Sequence, residues 1–195
     1  MDWKLTLKDL FEQGKYISCL DILYKRRTLV SNSDESFIID INLIYTYEYI
    51  LVESCYTEEE FKQYVKAMKA LLKKARMEYK QKNEFLFYIS YIATSYMEYF
   101  MGLTDHDAQK IACKILQKEP KNLLYQWLVY NYTSYGNIEK ERCRIECAKK
   151  ILEDNNYILN IKNMLLAGDD LLFILQMDAR EIEESQTSSV SVAFE

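Results

Sequence analysis

Glycine, proline and histidine are nearly missing from this chain, and each shortage excludes something. Four glycines and one proline in 195 residues cannot supply the many tight turns of an all-β sandwich. Four separated glycines also cannot build a phosphate-cradling loop, so neither a P-loop nor a dinucleotide-binding turn is present. The single histidine, His106, excludes paired-histidine mechanisms and His-rich metal sites. The chain lacks a membrane-length apolar run. Its most apolar stretch, Phe37 to Val52, is interrupted by Asp40, Asn42 and Glu48, which makes it too short and too polar to span a bilayer. Met1-Asp2-Trp3-Lys4 shows no basic region followed by an apolar one, so no signal peptide is read. Five cysteines are an odd count without framework spacing. They read as reduced thiols and point to a cytoplasmic, reducing compartment.

The few glycines and the proline all punctuate. Gly14, Gly102, Gly136 and Gly168 each follow an apolar helical pattern and precede another, and Pro120 stands where a helix must stop. The spacing predicts ten helices, over about 2–13, 15–29, 36–55, 58–80, 84–101, 105–118, 121–135, 137–154, 157–167 and 169–184. The fourth is the clearest. Thr57 and Glu60 form a capping box, and Phe61, Val65, Met68, Leu72, Ala75 and Tyr79 make one buried stripe. The third alternates like a strand at Ile39-Asp40-Ile41-Asn42-Leu43, but a strand through Val52 is too long, so it is read as a helix buried on most faces. Short loops make consecutive helices antiparallel neighbours, in five hairpins. Ala112-Ile115-Leu116 recurs as Ala148-Ile151-Leu152, about 36 residues on, which is near a helical-repeat period.

Residues 3–23 carry a more specific pattern. Trp3 opens a helix, Gly14 and Tyr16 form a turn, and the small Cys19 lies four before Leu23. This resembles the tetratricopeptide-type helical hairpin. Thr6-Leu7 replaces the expected Leu-Gly and Ser31 the closing proline. Residues 92–120 resemble a second unit through Ala108, Ala112, Ile115 and Pro120, and residues 124–152 a third through Gly136 and Ala148. The resemblance covers about half the chain. It implies an all-α, right-handed solenoid of about five hairpins over residues 1–184, capped by the last two helices. Residues 185–195, rich in hydroxyls and without helical period, read as a disordered tail.

The resemblance also implies a role: holding other proteins in the concave face lined by the first helix of each hairpin. Eleven of 17 tyrosines fall on such helices, and tyrosine suits recognition surfaces as well as cores. On that geometry Lys4 and Lys8, then Ala93, Met97 and Met101, then Trp127, Asn131 and Tyr135 are the expected groove contacts, with the lysines clamping acidic groups.

A separate feature needs no resemblance. Lys62, Lys66, Lys69, Lys73, Arg76 and Lys80 recur at spacings of four and three, which places six cations on one helix face. Such a stripe is either a plain solvated face or a grip for an acidic partner or a phosphate backbone. The chain as a whole carries −5, which argues against a bulk grip on nucleic acid.

Catalytic candidates are few. Asp105-His106-Asp107 is contiguous, and neighbours on a helix diverge. Asp107 with Thr104 reads as a helix start. Cys143 and Cys147 share a helix face, with Cys113 as a third thiol and no fourth ligand for zinc. The expectation is a non-enzymatic adaptor or scaffold subunit without cofactor or metal. The alternatives are an immunity protein or secretion chaperone dedicated to one client and, third, an RNA-binding subunit using the lysine stripe.

Overall fold

The start of the fourth predicted helix shows how local chemistry sets the fold. The Thr57 hydroxyl accepts the Glu60 amide, and the Glu60 carboxylate accepts the Thr57 amide. This reciprocal cap satisfies amides that a helix start leaves open. Met68, Leu72, Ala75 and Tyr79 then follow as buried residues. The same logic repeats along the chain, in a computed structural model that describes residues 2–31, 33–94 and 101–191. Its helices are α1 (Trp3–Glu12), α2 (Tyr16–Leu29), α3 (Ser33–Glu53), α4 (Glu58–Glu78), α5 (Asn83–Ile92), α6 (Asp105–Lys118), α7 (Leu123–Thr133), α8 (Ile138–Glu153), α9 (Asn155–Lys162) and α10 (Leu165–Ser191). No strand occurs among the described residues, so the expected all-α class holds. Among them, too, no helix is long and apolar enough to cross a membrane.

The chain divides into two units: Met1–Ile111 with Met164–Ala167, and Ala112–Asn163 with Gly168–Glu195. In the first, α1 packs on α2, α2 on α3, and α3 on both α4 and α5. Contacts run in opposite sequence order across each of the first three pairs. Leu7 meets Cys19 and Phe11 meets Tyr16; Tyr24 meets Tyr47 and Arg27 meets Asp40; Tyr47 meets Tyr64 and Phe37 meets Tyr79. These pairs are therefore antiparallel. Cys19, wholly buried, donates its thiol to the Leu7 carbonyl at 3.7 Å. A larger side chain there would hold α1 and α2 apart. Gly14, in the α1–α2 turn, has φ +70, a backbone that side chains resist.

Helix α3 is the centre of this unit. Residues Ile39 to Glu48 are all buried, which is why its strand-like alternation yields to helix: burial on every side overrides local preference. Two of its buried polar groups, Asp40 and Asn42, tie it to other segments, and a third, Thr46, bonds within the helix. Asp40 accepts from Arg27 Nε and from the Tyr79 hydroxyl, both at 2.9 Å. Asn42, wholly buried, donates to the Ile38 and Met164 carbonyls and accepts from the Ala167 amide. Thr46 donates to the Asn42 carbonyl. Asn42 therefore caps the start of α10 from a different helix. It holds a turn in which Leu165 has φ +56, a conformation costing about 1–2 kcal/mol for a residue with a Cβ. Its hydrogen bonds, each worth roughly 1 kcal/mol, offset that strain.

In the second unit α7 packs on α8 and α8 on α9. Gln126 meets Cys147 while Tyr130 meets Cys143, so α7 and α8 are antiparallel. The tight turn between them contains Gly136 at φ +71. Asn122 and Asn137 cap the two helices by accepting the Leu124 and Lys140 amides. Asp178 on α10 is 4% exposed; it accepts from the Trp127 indole and from Arg144, each at 2.6 Å.

Two expectations change at the C-terminal end. Gly168 does not end a helix; it is buried within α10, and the break falls at Asn163–Met164. The strained Leu165 and the Asn42 cap make that break, so no glycine is needed. Helix α10 also runs through Ser191, past the expected helix end at 184. No glycine or proline interrupts residues 169–191, and an established helix extends one hydrogen bond per residue. Residues 192–195 lie outside the described ones.

Candidate binding surface

Packing of α4 through Met68, Leu72, Ala75 and Tyr79 fixes which face is left outward. Lys62, Lys66, Lys69, Lys73 and Arg76 are exposed on it, Lys80 is exposed in the turn just past its end, and Lys74 is exposed nearby. At a rise of about 1.5 Å per residue, the cationic face from Lys62 to Arg76 runs for roughly 21 Å. Lys62 pairs with Glu58, an exposed bridge worth a few tenths of a kcal/mol. Glu78, the one acid between Lys62 and Lys80, reaches Arg27 at 3.3 Å. The lysine stem of Lys69 lies 3.6 Å from where a Cβ on Gly102 would stand. Like charges three and four apart repel by a few tenths of a kcal/mol per pair, a cost this face bears over its whole length.

Beside the cations runs a second column, Gln63, Ala70 and Met77, one heptad apart and exposed. Met77 is 65% exposed. The two aromatic rings within residues 62–80 lie on the packed side: Tyr64, half-buried, meets Tyr47, and Tyr79 is buried.

The expected groove fares differently. Trp127, Ala93 and Met101 are 0%, 2% and 3% exposed, so they are core residues and cannot touch a partner in this state. Trp127 is held inside because its indole N–H has a buried acceptor in Asp178. Asn131 is half-buried and Tyr135 fully exposed. The stripe at 127, 131 and 135 fails because α7 ends at Thr133, leaving Tyr135 in the turn. Lys4 is exposed, Lys8 half-buried, and Met97 lies outside the described residues. The tyrosines are mainly core as well. Tyr45, Tyr47, Tyr88, Tyr91 and Tyr125 are buried and Tyr49, Tyr130 and Tyr132 half-buried, while Tyr96 and Tyr99 lie outside the described residues. Tyr45 and Tyr49 close a ring cluster with Phe11 and Tyr16, centroids 4.7–5.8 Å apart. Each such edge or stacked pair adds about 0.5–1.5 kcal/mol beyond burial.

Sequence reasoning did not single out the shallow cleft on α1 and α2 lined by Trp3, Thr6, Ile22, Lys25, Arg26 and Leu29. Arg26 lies 5.5 Å over the Trp3 ring and pairs with Glu35 at 2.7 Å. A cross-helix cation–π contact of this kind has no signature in residue spacing.

Cys147 and Asp107 have structural duties, as does the buried Cys19. Burial pushes the Cys19 and Cys147 thiols up to about 11, which keeps them protonated and unreactive at neutral pH. Asp107 bonds the Thr104 hydroxyl, which also accepts the Asp107 amide. Those bonds hold its carboxyl below the usual carboxylate value, as a helix-start role requires. Among the described residues no three His, Cys, Asp or Glu side chains are grouped to hold a metal ion. Comparison of the chain with family models, with curated proteins and with solved structures finds no match.

Proposed function

We propose that this protein is a non-enzymatic binding module, an adaptor or scaffold subunit, which holds a protein segment against the outer face of α4. The observation that carries this reading is the row of exposed cations from Lys62 to Arg76 on α4, with no acid in that span and Lys80 just past the helix end, within a chain of net charge −5. An acidic chain that concentrates positive charge on one rigid face has a surface of opposite sign to its own average. Such a surface attracts and orients an anionic partner. The rigidity comes from the capping box and the buried side of α4, which fix the cations before any partner arrives and lower the ordering cost of binding. A tetratricopeptide-type stacking of the hairpins is the architecture in which we read this face.

Affinity capture from native cytosol tests the reading. The tagged wild type and a Lys66→Glu/Lys73→Glu variant are compared by quantitative mass spectrometry, with folding checked by circular dichroism. The expected result is one or a few stoichiometric protein partners with wild type, reduced at least about tenfold with the variant. Partners retained equally by the folded variant would place binding elsewhere on the molecule.

A further inference from the structure

We infer that the ligand of the α4 face is an acidic, amphipathic helix laid along α4. This rests on the reading that α4 is the contact surface, and adds the chemistry and shape of what it takes. The first observation is register. Along α4, Lys62, Lys69 and Arg76 fall one heptad apart, as do Lys66 and Lys73. A straight helix presents carboxylates at the same repeat, so a single alignment meets every cation, and helices pack along each other on that period. The second is the neighbouring column. Ala70 and Met77 are exposed one heptad apart along the edge of the cations, and methionine adapts to varied apolar partners. A ligand with acids on one side and apolar residues on the adjoining side fills both columns together. The third separates this ligand from nucleic acid. Single-stranded binders stack bases on aromatic rings, and the two rings within residues 62–80, Tyr64 and Tyr79, lie on the packed side of α4, away from the cations.

The test uses the full chain and three fluorescent probes. One is a peptide matched to the 21 residues of α4, with Glu at heptad positions on one face, Leu on the adjoining face and Ala elsewhere. The second is a scrambled peptide of the same composition, and the third a single-stranded RNA of similar length. Anisotropy titrations at two salt concentrations are expected to show the helical peptide binding at least about tenfold more tightly than either control. Lys66→Glu/Lys73→Glu should remove about tenfold or more of that affinity and Met77→Ala about threefold, with the salt dependence kept in the latter. Equal binding of the scrambled peptide, tighter binding of RNA, or no loss on Met77→Ala would overturn the inference. So would salt-sensitive self-association of the protein alone, seen by sedimentation and lost in the charge-reversed variant, because the occupant would then be a second copy. If the peptide fails while native partners still depend on Lys66 and Lys73, this inference falls and the binding-module reading stands.

Discussion

The two units solve one problem with the same parts. Each buries an aspartate whose two oxygens are taken by an arginine and by an aromatic donor, and each such carboxylate joins three segments. In the first unit Asp40 on α3 takes Arg27 from α2 and Tyr79 from the end of α4. In the second, Asp178 on α10 takes Arg144 from α8 and Trp127 from α7. The difference lies in the surroundings. Arg27 is 21% exposed and also reaches Glu78, whereas Arg144 is 14% exposed and meets Asp178 at 2.6 Å. The first hub is a partly solvated chain of charges leading out towards α4; the second is a drier pair set against an indole. A buried ion pair is a poor source of net stability, but removing one partner is costly. The hubs therefore specify which helices meet, and the cost of breaking them rises with how dry the stranded donors are left.

That comparison orders the expected effects. Asp178→Ala should be the most damaging, at about 3–5 kcal/mol, since it takes the acceptor from a guanidinium and an indole at once. The two tryptophans, Trp3 and Trp127, fall one in each unit, so urea titration in a Trp3→Phe background reports the second unit alone. A loss below about 1 kcal/mol would show that Asp178 is ornamental. Asp40→Ala should cost less, about 2–3 kcal/mol, because Arg27 keeps Glu78, and Trp3 fluorescence in a Trp127→Phe background follows it. A larger loss than for Asp178 would reverse the comparison. The smallest effect concerns helix starts. Bonds from the Thr57 amide and hydroxyl hold the Glu60 carboxyl below its ordinary 4.5, whereas α7 and α8 open on the uncharged Asn122 and Asn137. A depressed folded value means the stabilisation is complete above the ordinary value and lost as pH falls through the lowered one. Glu60→Gln should accordingly flatten the acid limb of the first unit's stability curve and leave the second unit's unchanged. An unchanged acid limb would remove the cap from the account.

Much of this fold was legible in the residues, for physical reasons that differ by element. The apolar spacing and capping box of α4 state its start, its buried Met68, Leu72 and Ala75 and most of its outward cations, because local rules dominate there; Phe61 and Val65 are only half-buried and the helix stops at Glu78, short of Lys80. Cys19 stood out as a small residue four before Leu23, and it is buried against the Leu7 carbonyl. The break before α10 was not readable. It depends on Asn42, more than 120 residues away in sequence, reaching Met164 and Ala167, and no local pattern marks a cap supplied by another helix. Trp127 was misplaced for a related reason. An aromatic on a helix stripe reads equally as core or contact until its N–H acceptor is known, and Asp178 lies 51 residues on. The α4 face was legible because exposure follows from the helix's own period.

The most direct test of the α4 claim is zero-length carbodiimide cross-linking of the acidic helical peptide to the full protein, read by mass spectrometry. Carboxylates couple only to amines they already touch. Cross-links concentrated on Lys62, Lys66, Lys69, Lys73 and Lys80 are the expected result. Cross-links falling instead on Lys4 and Lys8, or on the lysines of α8, would contradict the assignment of binding to α4.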